Sequence, residues 1–273
     1  MRAALRRGTL TSFTMASFRR SVIWGEHAAI LAVVTALTVA SWAYILWMTS
    51  DLIEHTGGFA GPVMSCCGVD LTRTFVMWVV MMIGMMLPSA APMILAFASI
   101  RRERAPRGAA LACGLFLAGY LLVWTAYSAI AAGGQWALFD AGMLDPATQR
   151  IAPLAGAFVL VAAGLFQLTP AKFACLSRCR EPRSNVRRSW RGGPLGPLTM
   201  GLRHGLCCAG ACSLLMVVLF AVGVMNLPWV LVLTVFVFAE KVLPWRRTVV
   251  WVGACACLLF GVATFVQSIT LPN

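Results

Sequence analysis

Apolar runs separated by short polar connections dominate this chain. They fall at 28–48, 75–99, 109–134, 151–169, 206–225, 227–243 and 248–267. A helix needs about 20 apolar residues to cross a hydrocarbon core, with a working range of roughly 17–25. The pattern therefore predicts an all-α fold, a polytopic transmembrane helix bundle of about seven spans. The sixth run is short and bounded by Pro228 and Pro244, and it could form a tight hairpin with the fifth around Asn226. Without that run the count would be six. The third run could be broken at Gly133 and Gly134.

Composition supports a membrane class: 60% of the 273 residues are hydrophobic and 11% are charged, where a soluble domain carries about a quarter. The charges also decide between six and seven spans. All of the 22 Lys and Arg residues except Arg73 and Arg150 lie in four places. Arg2, Arg6, Arg7, Arg19 and Arg20 precede the first run; Arg101, Arg102, Arg104 and Arg107 follow the second. Eight more, from Lys172 to Arg203, follow the fourth, and Lys241, Arg246 and Arg247 close the sixth. With seven spans these regions share one side, which the positive-inside rule makes cytoplasmic. The alternate loops carry Asp51, Glu54, Asp70, Asp140 and Asp145. The expected topology is N-in/C-out. The net charge of +13 then reads as orientation signal and contact with anionic lipid. The bilayer is the expected partner, and nucleic acid is not. The first run exceeds the ~7–15 residues of a signal-peptide core, so it is expected to be retained. Residues 1–27 form a basic cytoplasmic segment, and 28–273 a single helical domain.

Candidate chemistry rests on sulfur. The chain holds 10 Cys and 14 Met, soft and polarizable ligands. Cys175 and Cys179 lie four apart between the fourth and fifth runs, and would share a helix face. Lys172, Arg178 and Arg180 beside them would favour thiolate. At the start of the fifth run His204, Cys208 and Cys212 repeat the same spacing, Cys207 is adjacent, and Met216 extends the stripe by one turn. The two sets could meet as three or four soft ligands for Cu(I), zinc or an iron–sulfur centre. The C-x3-C spacing differs from the C-x2-C of most zinc sites. The blander alternative is that small cysteines pack between helices.

A second group is the methionine run of the second helix. Met77, Met81 and Met85 form one stripe, with Met82 and Met86 on a neighbouring line. Thioethers need no deprotonation and prefer Cu(I) to hard ions; the alternative is flexible apolar filling near Pro88 and Pro92. A third group, Met64, Cys66 and Cys67, sits in the first outer loop, where metal capture competes with an intermolecular disulfide. Cys113, Cys255 and Cys257 read as structural. Glu240, an acid at membrane depth, is a functional candidate, or else a partner of Lys241 or Arg246. His27, His55 and His204 are the only histidines; no haem ligand pair, hydrolase constellation or phosphate loop is present, and no enzyme is expected.

Three stretches carry a family resemblance: 78–88 (WVVMMIGMMLP), 166–182 (FQLTPAKFACLSRCREP) and 201–213 (GLRHGLCCAGACS), the last running on to Glu240 and Lys241. The chain resembles the bacterial family of predicted metal-binding integral membrane proteins, sometimes labelled copper chaperone-like. Members show two adjacent cysteines followed by Trp where this chain has Ala211, Cys212 and Ser213. The resemblance implies metal binding by a multi-pass membrane protein. Together these readings point to a protein that binds, and transfers or transports, a soft metal, Cu(I) first and zinc or none as alternatives. The expected path runs from Met64, Cys66 and Cys67 along Met77, Met81 and Met85 to Met216, Cys212, Cys208 and His204, and on to Cys175 and Cys179. A metal donor or acceptor protein would be its partner. The other readings are a scaffold or assembly subunit that uses sulfur for packing, and, third, a secondary transporter of a small solute.

Overall fold

The structure is a computed structural model that describes residues 25–49, 64–65, 68–145 and 148–270. Helix α1 spans Gly25–Thr49. A two-stranded hairpin follows, β1 at Met64–Ser65 and β2 at Gly68–Val69, with Met64 opposite Val69. The remaining helices are α2 (Leu71–Arg104), α3 (Ala109–Asp140), α4 (Pro153–Gln167), α5 (Pro170–Arg180), α6 (Pro182–Arg188), α7 (Gly196–Val222), α8 (Leu227–Val242) and α9 (Arg246–Thr270). Five helices, α1, α2, α3, α7 and α9, are long and apolar enough to cross a membrane. A sixth span results if α4 and α5, bent by 64° at their junction, are taken together. The 16-residue α8 rises only about 24 Å, short of a ~30 Å hydrocarbon core.

Local chemistry sets the boundaries. Asp70 caps α2, its carboxylate accepting from the Thr72 and Arg73 N–H groups at 2.9 and 3.3 Å. Helices α4 to α8 each begin with Pro in the first turn, where the missing N–H removes no helical bond. Thr169 starts α5 by accepting from the Lys172 N–H at 3.3 Å.

Helix α2 lies deepest. Met77, Trp78, Met81, Met82, Met85, Met86, Leu87 and Phe97 are all buried along it, covered by α1, α3, α6, α7 and α8. Helices α3 and α7 touch backbone to backbone: a Cβ on Gly201 would come within 2.0 Å of the Phe116 carbonyl, and one on Gly119 within 2.3 Å of the Leu198 carbonyl. Small residues permit such approach, as in helix pairs that lack water to drive their association. Helix α4 runs along α9 and α7. A polar chain crosses the core near the other end of α2: Trp78 Nε1 donates to Gln135 Oε1 at 2.7 Å, and Gln135 Nε2 to Gln149 Oε1 at 2.9 Å. Large apolar side chains such as Leu111, Ile130, Phe158, Leu259 and Val266 face outward, which is compatible with a lipid-facing perimeter.

Candidate metal centre

The α-helical period puts residues four apart on one face, and α7 uses this directly. His204, Cys208, Cys212 and Met216 form a single inward stripe, all 5% exposed or less. What meets the stripe comes from three other helices. The Cys212 thiol lies 3.8 Å from the Met86 sulfur of α2 and donates to the Cys208 carbonyl at 2.9 Å. The Cys208 sulfur accepts from the Lys241 ammonium of α8 at 3.0 Å and lies 3.3 Å from the Tyr120 hydroxyl of α3. Lys241 also donates to the Ser89 hydroxyl at 2.9 Å. The Met86 carbonyl accepts from Ser89 at 2.8 Å and from Tyr120 at 3.1 Å, which pins α2 against α3 where Pro88 interrupts the helical ladder.

The arrangement is thus two buried thiols and one buried thioether, with one ammonium against a thiol. Among the described residues no three His, Cys, Asp or Glu side chains gather as a metal-holding group; the third soft donor beside the thiol pair is Met86. His204 stacks between Phe116 and Tyr120, with ring centroids 6.1 and 5.4 Å away. Both of its ring nitrogens are buried without a hydrogen-bond partner.

Two further cysteines, Cys207 and Cys175, lie off this stripe. Cys207 is half-buried and accepts from Arg178 Nη1 at 3.8 Å. Cys175 packs against Gly210, where an added Cβ would stand 3.0 Å from its sulfur. Cys179 instead packs against the core cluster that holds Cys208, within electrostatic reach of Cys208 and Lys241. Helix α5 carries both of its thiols beyond the bend, past the apolar run. The basic neighbours do not turn Cys175 towards thiolate: burial and the nearby Cys207 push its thiol up, and Arg178 only partly opposes them. Lys172 and Arg180 are engaged elsewhere. Lys172 forms a fully buried ion pair with Glu240, at 2.8 and 2.9 Å to the two carboxylate oxygens. Arg180 donates to the Glu240 carbonyl at 2.6 Å and to that of Leu243. Glu240 is therefore held by Lys172, and the next residue, Lys241, is turned about 100° around α8 onto Ser89 and Cys208.

Of the other sequence candidates, Met77, Met81, Met82 and Met85 are all buried along α2. Met64 is described only by its place in β1, and Cys66 and Cys67 lie outside the described residues. Sequence reasoning passed over Ser89, Tyr120 and the thiol contact of Lys241. The available signal was a Glu-Lys pair closing an otherwise apolar helix, where a charge needs a partner.

The family described as PpoB2, copper chaperone, matches residues 75–264, a stretch that includes α7 and α8 in full and all but the first turn of α2. No curated protein and no solved structure matches the chain.

Proposed function

The chain belongs to the copper chaperone family PpoB2, and from that premise we propose that it is an integral membrane protein which holds Cu(I) on the sulfurs of Met86, Cys208 and Cys212 and hands it on. The observation that carries this reading is the meeting of Met86 and Cys212 at 3.8 Å beside a Cys208 sulfur that already accepts from a cation, Lys241, at 3.0 Å. Thiolate and thioether sulfur select Cu(I) over hard ions.

Charge explains the lysine. A buried site must be close to neutral, because isolated charges are costly out of water. Cu(I) on two thiolates carries one net negative charge, and the Lys241 ammonium balances it. Before the metal arrives, Lys241 supplies positive charge at Cys208; afterwards its contact with Ser89 keeps the ammonium within reach of the complex. Cu(I) takes the place of thiol protons, and the ammonium stays beside the complex. The cysteines release their protons as the metal binds.

The basic loops orient the site in this reading. If the short helices α4 and α8 also cross, the seven spans run N-in/C-out in a bacterial inner membrane, with Lys241 and α5 towards the cytoplasm. Cys179, beside Cys208 and Lys241, then leads to Cys175 and Cys207 on the exit side, and a cytoplasmic acceptor protein would collect the metal there. The role is binding and transfer, with no covalent step.

The test is Cu(I) titration of detergent-purified, reduced protein against a competing chromophoric chelator. The wild type should take up tight, stoichiometric Cu(I), and Cys208→Ser with Cys212→Ser should lose it. Equal binding by the two proteins would remove the centre.

A further inference from the structure

A second group of sulfurs occupies the end of the bundle where α1 finishes and α2 begins. A cavity of about 10 Å³ lies there. Its walls include Met48 from the last turn of α1, Met77 and Met81 from α2, and Met225 from the turn between α7 and α8, closed by Ile45 and Val230. Met48 is 8% exposed, and Met77 and Met81 are 2% exposed. The walls present no polar surface.

That combination is specific in what it can accept. The space suits one water-sized body, but a buried water needs about two to four polar partners, and among the described residues the walls offer none. Hard cations need oxygen ligands, which the side chains of the described walls do not supply. Methionine is the side chain best able to fill irregular gaps, yet four of them surround a gap that stays open. Thioethers can donate to a soft, monovalent d¹⁰ ion without losing a proton, and the cavity can close on it by rotation about flexible bonds.

We infer that Met48, Met77, Met81 and Met225 form a separate all-thioether site for Cu(I) or Ag(I). Along α2, Met81 and Met86 are separated by about 7.5 Å of rise, with the buried Met82 and Met85 between them. The site therefore stands one short transfer from the Met86, Cys208, Cys212 centre, and its neutral ligands hold the ion more loosely than thiolates would. It adds a loading step to the copper reading but rests on its own cavity.

The experiment uses the full-length protein with selenomethionine in place of methionine and accessible thiols alkylated, loaded with redox-silent Ag(I). The background is Cys208→Ser, Cys212→Ser and Met86→Leu, which removes the three-sulfur centre. Selenium-edge X-ray absorption should still show a silver–selenium shell, and adding Met77→Leu and Met81→Leu should abolish it. Leu for Met nearly conserves volume, so the variants should stay monodisperse on size exclusion; if the combined variant does not, Met81→Leu alone should lower Ag(I) affinity at least tenfold. Absence of a silver–selenium shell in the background protein, or its persistence after the Leu substitutions, overturns the proposal. Failure of the three-sulfur centre reads out elsewhere, as Cu(I) binding indifferent to Cys208→Ser and Cys212→Ser.

Discussion

Cys207 and Cys208 are neighbours in the chain and opposites in the fold. Cys208 is 1% exposed and faces an ammonium, a phenol and the centre that Met86 completes. Cys207 is half-buried, on the far side of the same helix, met by an exposed arginine at 3.8 Å. The 100° step between consecutive residues of a helix separates a thiol enclosed beside the Cys212 and Met86 sulfurs from one that is half-buried beside an exposed arginine. Under the proposed function the Cys-Cys pair would offer one thiol to each of two faces of α7 rather than a bidentate clamp. Holding requires enclosure and charge balance, whereas release requires access.

The comparison can be broken most sharply by substitution at the thiols. Cys208→Ser with Cys212→Ser removes two of three sulfur donors, and Cu(I) affinity should fall by at least about a hundredfold. Cys207→Ser should leave it within about threefold, under half the tenfold step that 1.4 kcal/mol represents. If the two variants bind alike in chelator competition, the two faces are not functionally distinct.

The next largest effect concerns what aims Lys241. Glu240→Ala leaves Lys172 as an unpaired buried charge, and loss of one partner of a buried pair costs about 3–5 kcal/mol. Thermal unfolding in detergent should drop accordingly, and Cu(I) affinity should fall too, as α8 loses its grip on α5. A variant as stable as wild type would detach the ion pair from the centre.

Lys241→Met tests the charge balance alone. It removes the cation without leaving a buried charge behind, so stability should change little. The copper complex would then be a buried anion, and affinity should fall by about 10–100-fold, the range of outer-shell losses at metal sites. Unchanged affinity would mean that Lys241 has no part in balancing the metal complex.

The smallest effect lies on the receiving side. Burial and Cys207 raise the Cys175 thiol above its ordinary value. A raised value keeps the group protonated at neutral pH, so its alkylation should accelerate only as pH rises beyond the usual thiol range. An alkylation profile displaced below that of a free thiol would show that Arg178 governs Cys175.

Much of this was legible before any folding. The apolar runs recur as α1, α2, α3, α4, α7, α8 and α9, because apolar length and helical propensity are properties of the chain. The stripe through His204, Cys208, Cys212 and Met216 was readable for the same reason: spacing by four becomes a face once the segment is helical. The methionine run, by contrast, gave no way to choose Met86 among five. All are buried, and only the packing of α2 on α7 puts Met86 beside Cys212.

The partner of Glu240 shows the same limit. The sequence offered Lys241 and Arg246 as neighbours, and the fold chose Lys172, 68 residues away, because the bend after α4 carries α5 across the end of α8. Tyr120 and Ser89 joined the site likewise through contacts between helices. The sequence by itself determined which segments are helical and which faces carry sulfur, since both follow from the identity and local spacing of residues. Only the tertiary structure decided which sulfurs meet, and that one lysine stands against one thiol. Those facts depend on how helices cross, and in this bundle the crossings are set by close contact at Gly119 and Gly201 and by charges paired far along the chain.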